Sequence, residues 1–102
     1  MAKSTVLSPS QKRYLRGLAH SLKPIILVGG KGVSDPLIAE LELALDHHEL
    51  LKAKLAAGDR DVRDQWIAAL TERTGAALVQ QIGNTAVLYR QSRDQARIVL
   101  PR

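Results

Sequence analysis

The run Ile25-Ile26-Leu27-Val28 passes directly into Gly29-Gly30-Lys31-Gly32 and then into Ser34-Asp35-Pro36. Four consecutive apolar residues fit a short strand buried on both faces. The glycines break that strand into a tight loop, and Ser followed by Asp and Pro starts a helix. Leu37, Ile38, Leu41, Ala44, Leu45 and His48 then recur at helical spacing until about His48. Leu51, Ala53 and Leu55 alternate with Lys52 and Lys54, as in a strand with one polar face. Two strands joined through a helix run parallel by a right-handed crossover, so this stretch commits the chain to a layered α/β fold.

The flanks add elements of the same kind. Ser8-Pro9-Ser10-Gln11 has the pattern of a capping box, so a helix starts there. Leu15, Leu18, Ala19 and Leu22 form its apolar stripe, with Lys12, Arg16 and His20 four apart on another face, and Lys23-Pro24 ends it. After the turn at Gly58-Asp59, a third helix starting at Asp59 or Asp61 carries Val62, Trp66, Ala69, Leu70 and Arg73 along one side, and Gly75 caps its end. Ala77 to Ile82 and Thr85 to Tyr89 are strands joined by the hairpin signal Gly83-Asn84. The predicted architecture is a two-layer αβαβαββ fold with a four-stranded mixed sheet. It forms one domain over residues 1–102, with an extended C-terminal tail over 91–102.

Charge is distributed unevenly. The chain has 15 Lys+Arg against 10 Asp+Glu, a net charge of +5. Lys3, Lys12, Arg13, Arg16, Lys23 and Lys31 fall within residues 1–31, which contain no acid. Asp35, Glu40, Glu42, Asp46 and Glu49 fall within residues 32–50, which contain no Lys or Arg. This pattern predicts a basic side suited to a polyanion and an acidic side. With no Cys, thiolate chemistry and disulfides are excluded. No apolar run approaches the ~20 residues of a membrane span, and the N-terminus lacks a secretory apolar region, so the expected setting is cytoplasmic with no membrane partner.

The loop Gly29-Gly30-Lys31-Gly32 has the spacing G-x-x-G between a strand and a helix. Glycines let backbone N–H groups approach a ligand closely, the following helix start adds partial positive charge, and Lys31 adds a full one. Such a loop suits nucleic-acid backbone, although steric needs of a tight turn would also place glycines here. Lys12, Arg16 and Lys23 extend the basic surface. A Walker-type phosphate loop does not fit, because Lys31 precedes Gly32. In Asp46-His47-His48-Glu49, neighbouring helical residues point about 100° apart and do not converge on a metal, and His48 falls on the apolar side. Trp66 reads as core, and the 3% aromatic content disfavours serial base stacking. No catalytic residue, metal site, cofactor or small-molecule substrate emerges.

Gln11-Lys12-Arg13-Tyr14-Leu15-Arg16-Gly17-Leu18-Ala19-His20, Leu22-Lys23-Pro24, the G-x-x-G loop, Leu45-Asp46-His47-His48-Glu49-Leu50 and the ending Val99-Leu100-Pro101-Arg102 together resemble the CRM domain, in its stand-alone bacterial YhbY-like form. The resemblance implies an RNA-binding domain similar to the C-terminal domain of translation initiation factor 3, linked in bacteria to precursors of the large ribosomal subunit. It carries RNA contact onto Gly29, Gly30, Lys31 and Gly32, with Lys12, Arg16 and Lys23 beside them, and offers no catalytic residue. The expected function is thus non-enzymatic binding of structured ribosomal RNA in large-subunit assembly. The competing expectation is a protein-binding adaptor whose acidic second helix docks a basic partner.

Overall fold

The structure, a computed structural model, describes residues 5–102, so Lys3 lies outside the described residues. The elements follow in the order α1 (Pro9–Ala19), β1 (Ile26–Val28), α2 (Asp35–His48), β2 (Leu50–Leu55), α3 (Arg60–Thr74), β3 (Ala77–Ile82) and β4 (Thr85–Tyr89). The expected caps are present. Ser8 forms a full capping box with Gln11, Ser34 accepts from the Leu37 N–H, Asp59 accepts from Asp61 and Val62, and Gly75 ends α3 in the left-handed conformation.

The four strands form one mixed sheet in the order β1-β2-β4-β3. β1 and β2 are parallel, and β4 is antiparallel to both β2 and β3. Residue alternation divides the core. Ile26, Val28, Leu51, Ala53, Leu55, Ala86 and Leu88 pack against α2 and α3 on one face. Leu50, Val79, Val87 and Tyr89 pack against Leu15 and Ala19 of α1 on the other, joined by Leu7, Ile98 and Leu100 from the chain ends. The sheet with α2 and α3 makes the two expected layers, and α1 with the termini covers part of the opposite face.

Three expectations are corrected, the first two by that partial cover. β1 is not buried on both faces: Ile26 and Val28 are buried, whereas Leu27 is 61% exposed. β1 is an edge strand, and α1 lies over β2, β4 and β3 instead. The α1 stripe is also narrower than predicted. The helix ends at Ala19, and Leu18 and Leu22 face solvent while only Leu15 and Ala19 reach the sheet. Finally, His48 is exposed, as is His47, and the two rings meet edge-on.

Candidate nucleic-acid interface

The G-x-x-G segment is a four-residue turn closed by the Gly32 N–H donating to the Gly29 carbonyl at 2.9 Å. It leaves the C-terminal end of β1 and hands the chain to α2 through Val33 and the Ser34 cap. Its glycines serve different needs. Gly32 has φ +70, and a Cβ there would lie 3.1 Å from Trp66 Nε1, so backbone conformation and close packing both require glycine. Gly29 and Gly30 have neither a positive φ nor any atom within 4 Å of an added Cβ. The fold therefore gives no reason for glycine at those two positions. Lys31 between Gly30 and Gly32 is exposed.

Trp66, expected in the core, packs against it only in part, and its indole edge supports the loop beneath Gly32. The helical stripe on α3 marks Trp66 as inward-facing but does not reveal which loop it meets. Val62, placed on the same stripe, is 37% exposed.

Lys12, Arg16 and Lys23 are all exposed. Lys23 lies in the link between α1 and β1, at the opposite end of the strand from Lys31. At about 3.3 Å per residue the two stand on the order of 15–20 Å apart, too far to hold the same phosphate. Among the described residues, no Lys forms an ion pair, and neither do Arg13 and Arg16.

The acids behave differently, which corrects the expected acidic side. Asp35 meets Arg73 at 2.7 Å. Arg90, nearly buried, reaches Glu42 at 3.0 Å and Asp46 at 3.1 Å, and donates to the Thr74 carbonyl at 2.8 Å. Arg93 holds Asp46 at 2.7 Å and Glu42 at 3.1 Å. The carboxylate of fully buried Glu49 accepts the backbone N–H groups of Ser92, Arg97 and Ile98, each at 2.7 Å. Of the five acids in residues 32–50, only Glu40 has no such partner among the described residues. Asp35 ties α2 to α3, and Glu42, Asp46 and Glu49 fasten Arg90 and the C-terminal tail, so most of the acids of this stretch are not free to meet a basic partner.

These bonds shift the groups involved. The Arg93 side chain, against the opposing effect of burial, holds Asp46 down at about 2. Burial alone would raise Glu49, but the N–H groups of Ser92, Ile98 and Arg97 outweigh it and lower its pKa. Burial, aided by Glu49, raises Tyr89.

A small mixed α/β domain with a glycine turn at a strand end and an exposed, unpaired lysine on that turn is an arrangement that nucleic-acid-binding modules use. Comparison with known proteins narrows the class. The sequence model of the CRS1 / YhbY (CRM) domain matches residues 7–90, and the chain belongs to that family. It is 49% identical over 98 residues to a Haemophilus influenzae protein named "RNA-binding protein", covering 96% of this chain and 98% of that one. It is 40% identical over 96 residues to the "Probable RNA-binding protein YqeI" of Bacillus subtilis, covering 94% and 100%. The solution structure of the Staphylococcus aureus protein SAV1595 superposes with a TM-score of 0.80 at 36% identity, covering 94% of this chain and all of that one. Among the described residues, no group of three or more His, Asp and Glu comes together that could hold a metal ion. No described helix is long and apolar enough to cross a membrane.

Proposed function

We propose that the chain is a non-enzymatic RNA-binding protein of the cytoplasm. In this reading it holds structured ribosomal RNA in precursors of the large subunit, through Gly29, Gly30, Lys31 and Gly32. The observation that carries it is the pair Gly29 and Gly30, which the fold does not require to be glycine and which directly precede the exposed Lys31. Glycine at such a tip has a physical purpose when another backbone must come close. The names of the relatives support RNA as that partner.

The handedness of the fold supports including Lys12 and Arg16. α1 starts near the β3 edge, where the Thr5 N–H bonds the Gly75 carbonyl, and its following turn reaches the β1 side, where Lys52 Nζ bonds the Leu22 carbonyl. With β1-α2-β2 a right-handed crossover and Leu15 and Ala19 down on the sheet, steps of 100° turn Lys12 and Arg16 toward the loop end. Tyr14 and Leu18 turn the other way. Lys23 then serves a separate phosphate along the β1 edge.

Sedimentation of cell lysate at low salt tests this, comparing the native chain with a folded Lys31→Asp variant. Native protein travelling with large-subunit particles while the variant stays at the top supports the reading. Native protein that stays at the top, or binds purified ribosomal RNA with no dependence on salt, overturns it.

A further inference from the structure

We propose that the uncovered end of the sheet, between α1 and the glycine loop, seats unpaired nucleotides of the bound RNA. The proposal rests on the RNA-binding reading above and names the form of RNA that completes it. Cross-strand pairing aligns Leu27 with Lys54, Lys54 with Thr85, and Thr85 with Ile82, giving one row across all four strands. Alternation puts the row on the α1 face, but α1 packs with Leu50 at the start of β2, Val79 of β3 and Val87 and Tyr89 toward the end of β4, which leaves this end of the sheet open. Leu27 is 61% exposed and Ile82 57% exposed.

A lone exposed aliphatic residue needs no explanation. Here two of them flank a lysine and a threonine in one line, and Lys54 has no acidic partner among the described residues. The row spans roughly 14 Å at the usual strand spacing, the length of a few nucleotides. Its chemistry matches a single strand. Aliphatic side chains cover the faces of bases and riboses, Lys54 meets a phosphate, and the Thr85 hydroxyl meets a 2′-hydroxyl. A duplex turns its base faces inward and offers only phosphates and groove edges, so it leaves Leu27 and Ile82 unused.

Charge selects RNA over a protein as the occupant. The row continues into the loop, because the Ala56 N–H at the end of β2 bonds the Val28 carbonyl just before Gly29. Lys31 therefore bounds the floor at one end, and Lys12 and Arg16 bound it on the α1 side. An apolar floor rimmed by unpaired cations fits a polyanion with apolar faces.

The test uses two probes: an RNA hairpin with a ten-nucleotide unpaired extension, and the same hairpin trimmed flush. The native chain is expected to bind the extended probe about fivefold to tenfold more tightly than the flush one, a modest gain because the floor lacks aromatic rings. Leu27→Ala with Ile82→Ala, both at exposed positions, removes that preference and leaves flush-hairpin affinity unchanged. Lys31→Asp weakens both probes. Photocrosslinking from 4-thiouridine in the extension reports independently of any variant and is expected on peptides containing Leu27 or Ile82. Equal native affinity for the two probes, a preference that survives the double substitution, or crosslinks confined to other peptides overturns the proposal while leaving the loop reading intact. Failure to bind either probe overturns both. Capture of a protein partner that depends on Leu27 and Ile82, with RNA binding unaffected, assigns the face to that partner and overturns the proposal as well.

Discussion

Beside the start of β2, Arg90 and Arg93 each meet both Glu42 and Asp46 within 3.1 Å, whereas beyond the end of β1, Lys31 meets no acid among the described residues. The same chain thus uses its charges in two ways. At the tail Arg90, Glu42 and Asp46 are turned inward and bonded in fixed geometry, with the exposed Arg93 closing over them, and their effect is on folding. At the loop they are left in water without partners, where they add little to stability and remain available to a polyanion. Net charge describes neither region. The acids that would oppose an RNA are held by arginines on the tail side, and the lysines on the other side are left unopposed.

The strongest test of this contrast is Arg90→Met. It leaves the Thr74 carbonyl without its donor and leaves Glu42 and Asp46 to Arg93 alone, and the expected loss is about 3 kcal/mol in urea unfolding. RNA affinity of the folded fraction should stay within twofold of native. A variant as stable as native would mean that Arg90 is not holding the tail.

Glu49→Gln comes next. Gln keeps one acceptor oxygen but turns an NH₂ toward backbone donors, and the expected loss is about 2 kcal/mol. Because Asp46 is lowered to about 2 and Glu49 is also lowered, their contribution is present above the unfolded carboxylate range, near pH 4, and is lost as pH falls toward 2. The urea midpoint of the native chain should be flat from pH 7 to 5 and fall below 4. In Glu49→Gln the fall should be shallower, and an equal fall would remove Glu49 from the account.

On the other side, Lys31→Asp should leave the urea midpoint unchanged and lower RNA affinity about tenfold, with the slope of log affinity against log salt reduced by about 1. A change in stability without a change in slope would place Lys31 with the structural charges and erase the contrast.

Much of this was legible in the sequence wherever the signal was local. Capping residues at Ser8, Ser34 and Gly75, the alternation through β2 and the Gly83-Asn84 hairpin each depend on a few neighbouring residues, and each is where the sequence puts it, while the structure decides for Asp59 over Asp61 as the cap of α3. The misreadings come from facts that only the assembled sheet holds. Ile25 to Val28 looks doubly buried until β1 is seen to be an edge strand with α1 elsewhere. The acid-rich stretch looks like a docking surface until Arg90, Arg93 and the tail N–H groups come back to it from more than 40 residues away. The G-x-x-G pattern marks the loop, yet the differing roles of its glycines appear only with Trp66 in place.

Those glycines give the smallest and most discriminating pair of substitutions. Gly32→Ala meets Trp66 and carries a side chain into φ +70, so it should lose about 1 kcal/mol of stability. Gly30→Ala meets nothing and has no positive φ, so by restricting the unfolded chain it should be as stable as native or more stable by about 0.5 kcal/mol. If RNA backbone passes against the turn, the new methyl group stands in its way, and affinity should fall roughly threefold in the variant whose fold is unharmed. Stability and binding would then move in opposite directions at one residue, which a steric requirement of the turn does not explain. Native affinity in Gly30→Ala would show that the turn alone accounts for its glycines and would shift the RNA contact onto the surrounding cations.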